Sequence, residues 1–175
     1  TVITTQDTTN SAAASYTTRD PSAATFTSAA TSNELVQGLT PTNIKFTFTV
    51  LELNPTGTGA AEVADTITIS TTSADAVFVD NKVPACTSLT AGTVTALTSE
   101  AGKVLTLTVT AQLAVGAHTF SCTDGGVGAL AANPSTLAIT FTMITTQDTT
   151  TSGAVTYSTR AATPVVWGSA SSLNQ

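Results

Sequence analysis

At 175 residues the chain is long enough to bury a core without metals, and 41% hydrophobic residues beside only 9% charged ones exclude a disordered chain. A net charge of −6 with five scattered cations (Arg19, Lys45, Lys82, Lys103 and Arg160) excludes nucleic acid as a partner, because no row of phosphates can be neutralised by them. Threonine fills 41 positions, so the polar surface is mostly hydroxyl and the β-branched composition suits pleated, half-buried strands.

In chain order, residues 1–30 read as an extended N-terminal segment. Thr1–Asn10 has neither the basic start nor the apolar run of a signal peptide, so an exported protein is expected here in mature form. The β-sandwich core is expected over 31–143. In it Ile44, Phe46, Phe48 and Val50 alternate with Lys45, Thr47 and Thr49, and the phase then slips to Leu51 and Leu53, as at a bulge or a change of buried face. Ile67 and Ile69 alternate with threonines, as do Leu105, Leu107 and Val109, and then Leu137, Ile139, Phe141 and Met143 with Ala138, Thr140 and Thr142. Shorter strand-like runs are Lys82–Thr87 and Ala117–Cys122.

Turn signals separate these runs at Asn54-Pro55, Asp80-Asn81, Ala91-Gly92, Ala101-Gly102, Val115-Gly116, Asp124-Gly125-Gly126 and Asn133-Pro134. No window repeats apolar residues at helical spacing over three turns, and none approaches the roughly 20 apolar residues of a membrane span. Many short antiparallel strands without crossover helices predict an all-β, two-sheet sandwich.

Cys86 and Cys122 each lie at the end or edge of a strand-like run. A disulfide between them is expected, and on the chain-entropy model closing this 36-residue interval stabilises the fold by about 4 kcal/mol. So few lysines among so many hydroxyls point to an oxidising exterior, extracellular or at the cell surface. No acceptor sequon for Asn-linked sugar is present, so any glycan is expected on Ser or Thr.

The most specific feature is a duplication. Residues 3–19, ITTQDTTNSAAASYTTR, align without gaps on 144–160, ITTQDTTTSGAVTYSTR, with 12 of 17 positions identical at an offset of 141. The likeness continues weakly, Phe26 matching Trp167. Two arrangements explain it: a tandem array with a period of about 141 residues, or separate subunits whose related ends fill equivalent strand positions in neighbours. Two similar edge strands within one sandwich are the remaining alternative.

No enzyme chemistry is legible. His118 reads as a satisfied surface or edge histidine, no His/Cys/Asp/Glu set has zinc spacing, and Gly125, Gly126 and Gly128 are followed by Ala-Leu-Ala-Ala without a phosphate-binding lysine, so no cofactor is expected. Asp75, Asp80 and Asp124 read as solvated loop acids before they read as a calcium site. Thr106, Thr108 and Thr110 invite an ice-binding reading, which needs such rows in register over many strands.

Alternating Thr/Ala/Val-rich strands, one expected disulfide, almost no charge and a strand-capable N-terminal segment together resemble the subunits of donor-strand-assembled extracellular filaments, of which chaperone–usher pilins are the familiar type. The resemblance implies an Ig-like or jelly-roll-type sandwich with extended terminal strand segments, completed by a neighbour's extension through β-addition. It implies a donor within Thr1–Phe26, with Val2, Ile3, Tyr16 and Phe26 filling pockets. Ile144, Tyr157 and Trp167, in the C-terminal segment 144–175, are the expected counterparts at an assembly interface. The function expected is therefore a structural subunit of an extracellular fibre whose partner is itself. A carbohydrate-binding or adhesive module, with loops 54–61 and 124–134 as its site, is the alternative, and ice binding the third.

Overall fold

The computed structural model describes residues 25–31, 36–50, 64–135 and 138–163. Nine strands occur there: β1 (Thr25–Thr31), β2 (Asn43–Val50), β3 (Thr66–Thr71), β4 (Ala85–Ser88), β5 (Thr93–Ser99), β6 (Val104–Ala111), β7 (Gly116–Thr123), β8 (Ala138–Thr145) and β9 (Val155–Ser158). They form two antiparallel sheets, ordered β1-β2-β7-β4 and β5-β6-β3-β8-β9. The sheets face each other as a sandwich, with β1 lying against β9 at one side and β4 against β5 at the other. The strands expected from alternation stand as β2, β3, β6 and β8. The phase slip at Leu51 and Leu53 lies outside the described residues.

Alternation is what makes the core. Ile44, Phe46, Phe48 and Val50 of β2 face inward, as do Ile67 and Ile69, Leu105, Leu107 and Val109, and Ile139, Phe141 and Met143. Phe46 sits at the centre, its ring 6.2 Å from Phe26, 6.5 Å from Phe78 and 5.5 Å, edge-on, from Phe141 of the facing sheet. Each such burial contributes about 1.5–3 kcal/mol, so the two sheets are joined chiefly here. β1 reaches the core through a bulge between Phe26 and Ser28, which brings Phe26 and Ala29 to the same face although they are three residues apart.

Cys86 and Cys122 form a disulfide, and they are direct cross-strand neighbours of β4 and β7 within one sheet. The β5–β6 hairpin turns through Glu100, Ala101 and Gly102, all with positive φ. Gly102 is required there, because its carbonyl accepts the N–H groups of Val77 and Phe78 and a Cβ would overlap the Phe78 carbonyl.

The sandwich has two poles. β1 starts at a leading pole together with loops 89–92, 112–115 and 146–154. β9 ends at a trailing pole with loops 36–42, 72–84, 100–103 and 124–135. Cross-links hold each pole together, such as Val79 N–H to the Ala129 carbonyl and Gln37 N–H to the Arg160 carbonyl at the trailing pole, and Val109 N–H to the Asp65 carbonyl at the leading one. The sheets run past the expected 31–143 core in both directions, taking in β1, the end of β8 and β9.

Candidate functional site

The C-terminal copy of the duplicated segment begins inside β8, crosses the leading pole and returns as β9. Its loop is closed by the Asp148 N–H donating to Thr145 Oγ1 at 2.7 Å and the Thr145 N–H donating to the Asp148 carbonyl at 3.1 Å. Thr146 then clamps the start of β3. Its N–H donates to the Thr66 carbonyl, its Oγ1 accepts the Thr66 N–H at 3.2 Å, and its hydroxyl donates to Asp65 Oδ1 at 2.7 Å. Gln147 Nε2 donates to both carboxylate oxygens of the same buried Asp65, at 3.3 Å each.

Ser152 completes the turn by standing in for a strand residue. Its N–H donates to the Met143 carbonyl at 2.8 Å and its Oγ accepts the Met143 N–H at 2.9 Å, so this β8 amide is satisfied beyond the reach of the β9 ladder. β9 pairs with Ala138–Phe141, and the Tyr157 ring stacks on Phe141 at 5.7 Å. Burial pushes the Tyr157 hydroxyl well above the ordinary tyrosine range. Beyond β9, Thr159 is buried, its Oγ1 accepts a hydrogen bond from Gln37 Nε2 at 3.4 Å, and Arg160 bridges Val36 in parallel.

Burial sorts the duplicated positions. The buried residues of 144–160 are Thr145, Asp148, Ser152, Tyr157 and Thr159, and the N-terminal copy carries the same residue at each, as Thr4, Asp7, Ser11, Tyr16 and Thr18. The five positions that differ between copies are 151, 153, 155, 156 and 158, and all of them are exposed or half-buried. Thr146 and Gln147, the partners of Asp65, are also repeated, as Thr5 and Gln6. Asp65 lies outside the duplicated segment, so nothing in the pattern of the sequence alone points to it as a partner.

Of the expected assembly residues, Phe26 and Tyr157 are buried in this chain's own core and Ile144 is half-buried at the end of β8. Val2, Ile3, Tyr16 and Trp167 lie outside the described residues. His118 differs from its expected surface place: it faces inward beside Phe48, with Nε2 2.7 Å from the Ala114 carbonyl oxygen and Nδ1 3.4 Å from Thr90 Oγ1. Its position is inward because it shares the phase of Phe120 and Cys122 on β7.

Asp124 braces a loop, its carboxylate accepting the N–H groups of Gly128 at 3.0 Å and Leu130 at 3.3 Å, bonds that hold its carboxyl below the usual carboxylate range. No group of three His, Cys, Asp or Glu that could hold a metal occurs among the described residues. No described helix is long and apolar enough to cross a membrane. The loop 54–61 lies outside the described residues. On the outer face of the larger sheet, Thr95, Thr108 and Thr66 stand in line across three strands, but the next row runs Leu97, Thr106, Thr68 and Ile144. No protein-family model matches the chain, and neither does any curated protein.

Proposed function

We propose that the chain is a structural subunit of an extracellular filament or fibre, in which the duplicated segment joins successive units by strand complementation or tandem linkage. The observation that carries this is the burial pattern: every side chain that 144–160 buries is kept in 3–19, and every difference falls where a side chain meets solvent. A segment that only happened to resemble β9 would have no reason to keep Ser11, Asp7 and Tyr16, whose counterparts make specific hydrogen-bonded or stacked contacts. The N-terminal copy therefore carries what it needs to sit in a second slot of the same kind.

The disulfide supports an oxidising exterior, and a surface of hydroxyls with few charges accommodates O-linked glycans. Size measurement tests the proposal. Particles far larger than 17.5 kDa are expected in sedimentation and negative-stain microscopy, and material that stays monomeric at high concentration overturns it.

A further inference from the structure

We infer that successive units stack end to end, the trailing pole of one seated on the leading pole of the next, with the strands running along the fibre. This rests on the fibre reading above and adds its geometry. β1 starts at the leading pole and β9 ends at the trailing pole, so the first and last strands of the sandwich open at opposite ends of it. Because the duplication has no gap, the interval from Arg19 to Thr25 equals that from Arg160 to residue 166, the counterpart of Thr25: six residues in each case. Six residues reach at most about 22 Å. Strands of eight residues, such as β2 and β8, run about 26 Å.

A following unit therefore cannot lie alongside in the same orientation, since the link would have to travel back over the whole sandwich. The same limit applies whether β9 of a unit comes from its own chain or residues 14–17 of a neighbour take its place, because the link that follows is the same. Two arrangements satisfy it: stacking pole on pole, or laying the next unit alongside upside down.

Exposed apolar side chains decide between them. Leu39, Val79, Val83 and Val127 are exposed at the trailing pole, Leu89 and Val115 at the leading one, and Leu97 on the outer face of the larger sheet. The trailing-pole loops that carry three of them adjoin, since Val79 N–H bonds the Ala129 carbonyl and the Val83 carbonyl lies against Gly125. The outer faces of the sheets present mostly threonine, with Leu97 and the half-buried Ile144 as apolar members of the larger one. Pole-on-pole stacking covers the apolar side chains with a second copy's leading pole, whereas an inverted neighbour covers threonines and leaves the valines in water.

The test compares the wild-type chain with two double variants by sedimentation and negative-stain microscopy, with circular dichroism and free-thiol titration to confirm the fold. Val83→Asp with Val127→Asp is expected to lower mean particle mass at least tenfold, while Thr49→Lys with Thr95→Lys, on the outer faces, leaves it within twofold. The axial repeat per unit in wild-type fibres is expected to be about 26 Å or more. A repeat well below a strand length, or assembly blocked by the threonine changes and untouched by the valine ones, overturns the stacking while leaving the fibre intact. Wild-type protein that never assembles removes the fibre reading itself.

Discussion

β4 and β9 are both four-residue strands at sheet edges, on opposite sides of the sandwich, and they are held in opposite ways. Four residues supply too few ladder bonds to fix a strand, so each needs a second attachment. β4 has a covalent one, Cys86 bonded to its direct cross-strand neighbour Cys122. β9 has the Tyr157 ring on Phe141 and the Ser152 turn, contacts that another copy of the same residues could make equally well. Only the strand without a covalent tie is duplicated in the sequence. On the proposed reading, the edge strand held by side chains is replaceable and the one held by a disulfide is not.

The comparison is broken most directly by removing the staple. Cys86→Ser with Cys122→Ser is expected to cost about 4 kcal/mol in denaturant unfolding of unassembled protein, and an unchanged midpoint would mean that β4 is held by its ladder alone. Next, Tyr157→Ala is expected to cost about 3 kcal/mol in the same assay, through the cavity left over Phe141. Tyr16→Ala is expected to leave that stability unchanged and to shorten assemblies. Equal losses from the two tyrosine changes would place both copies inside one globule and end the distinction between β4 and β9.

Ser152→Ala sharpens it further, since it leaves the Met143 N–H without its acceptor: a loss of about 1–2 kcal/mol and faster hydrogen exchange at that amide are expected. The smallest effect belongs to Asp124, on the β4 side. Gly128 and Leu130 N–H groups favour its charged form, so its folded-state pKa is depressed. Its contribution is present above the ordinary carboxylate value, near pH 4, and fades as pH falls through that value toward the depressed one. Asp124→Asn is expected to remove that part of the acid sensitivity, read as the difference between wild-type and variant melting across pH 2–5. Identical pH dependences would show that the brace contributes nothing.

Where alternation was strict, the strands were legible: β2, β3, β6 and β8 carry large apolar residues at every second position because one face is buried. β5 was not, because its inward residues include Thr98, a fully buried hydroxyl that donates to the Val79 carbonyl at 2.6 Å and accepts the Lys82 N–H at 2.8 Å. β1 was hidden by its bulge, which sets Phe26 and Ala29 three apart and destroys the period of two. β9 is too short to show a period at all. Of the candidate site, the duplication was plain in the letters, but which letters mattered was not. Thr145, Asp148, Ser152 and Thr159 look like surface residues until the fold buries them.

By itself, the sequence determined the all-β class, the bond expected between the two cysteines, the places where the chain turns, and the existence of two near-identical segments, because these depend on side-chain chemistry and spacing along the chain. Only the tertiary structure decided that β1 starts and β9 ends at opposite poles, that Asp65 receives Thr146 and Gln147, and that most of the exposed apolar side chains stand at the two poles. Those facts depend on which strands become neighbours, and that is set by how two faces of a core pack together across long stretches of chain.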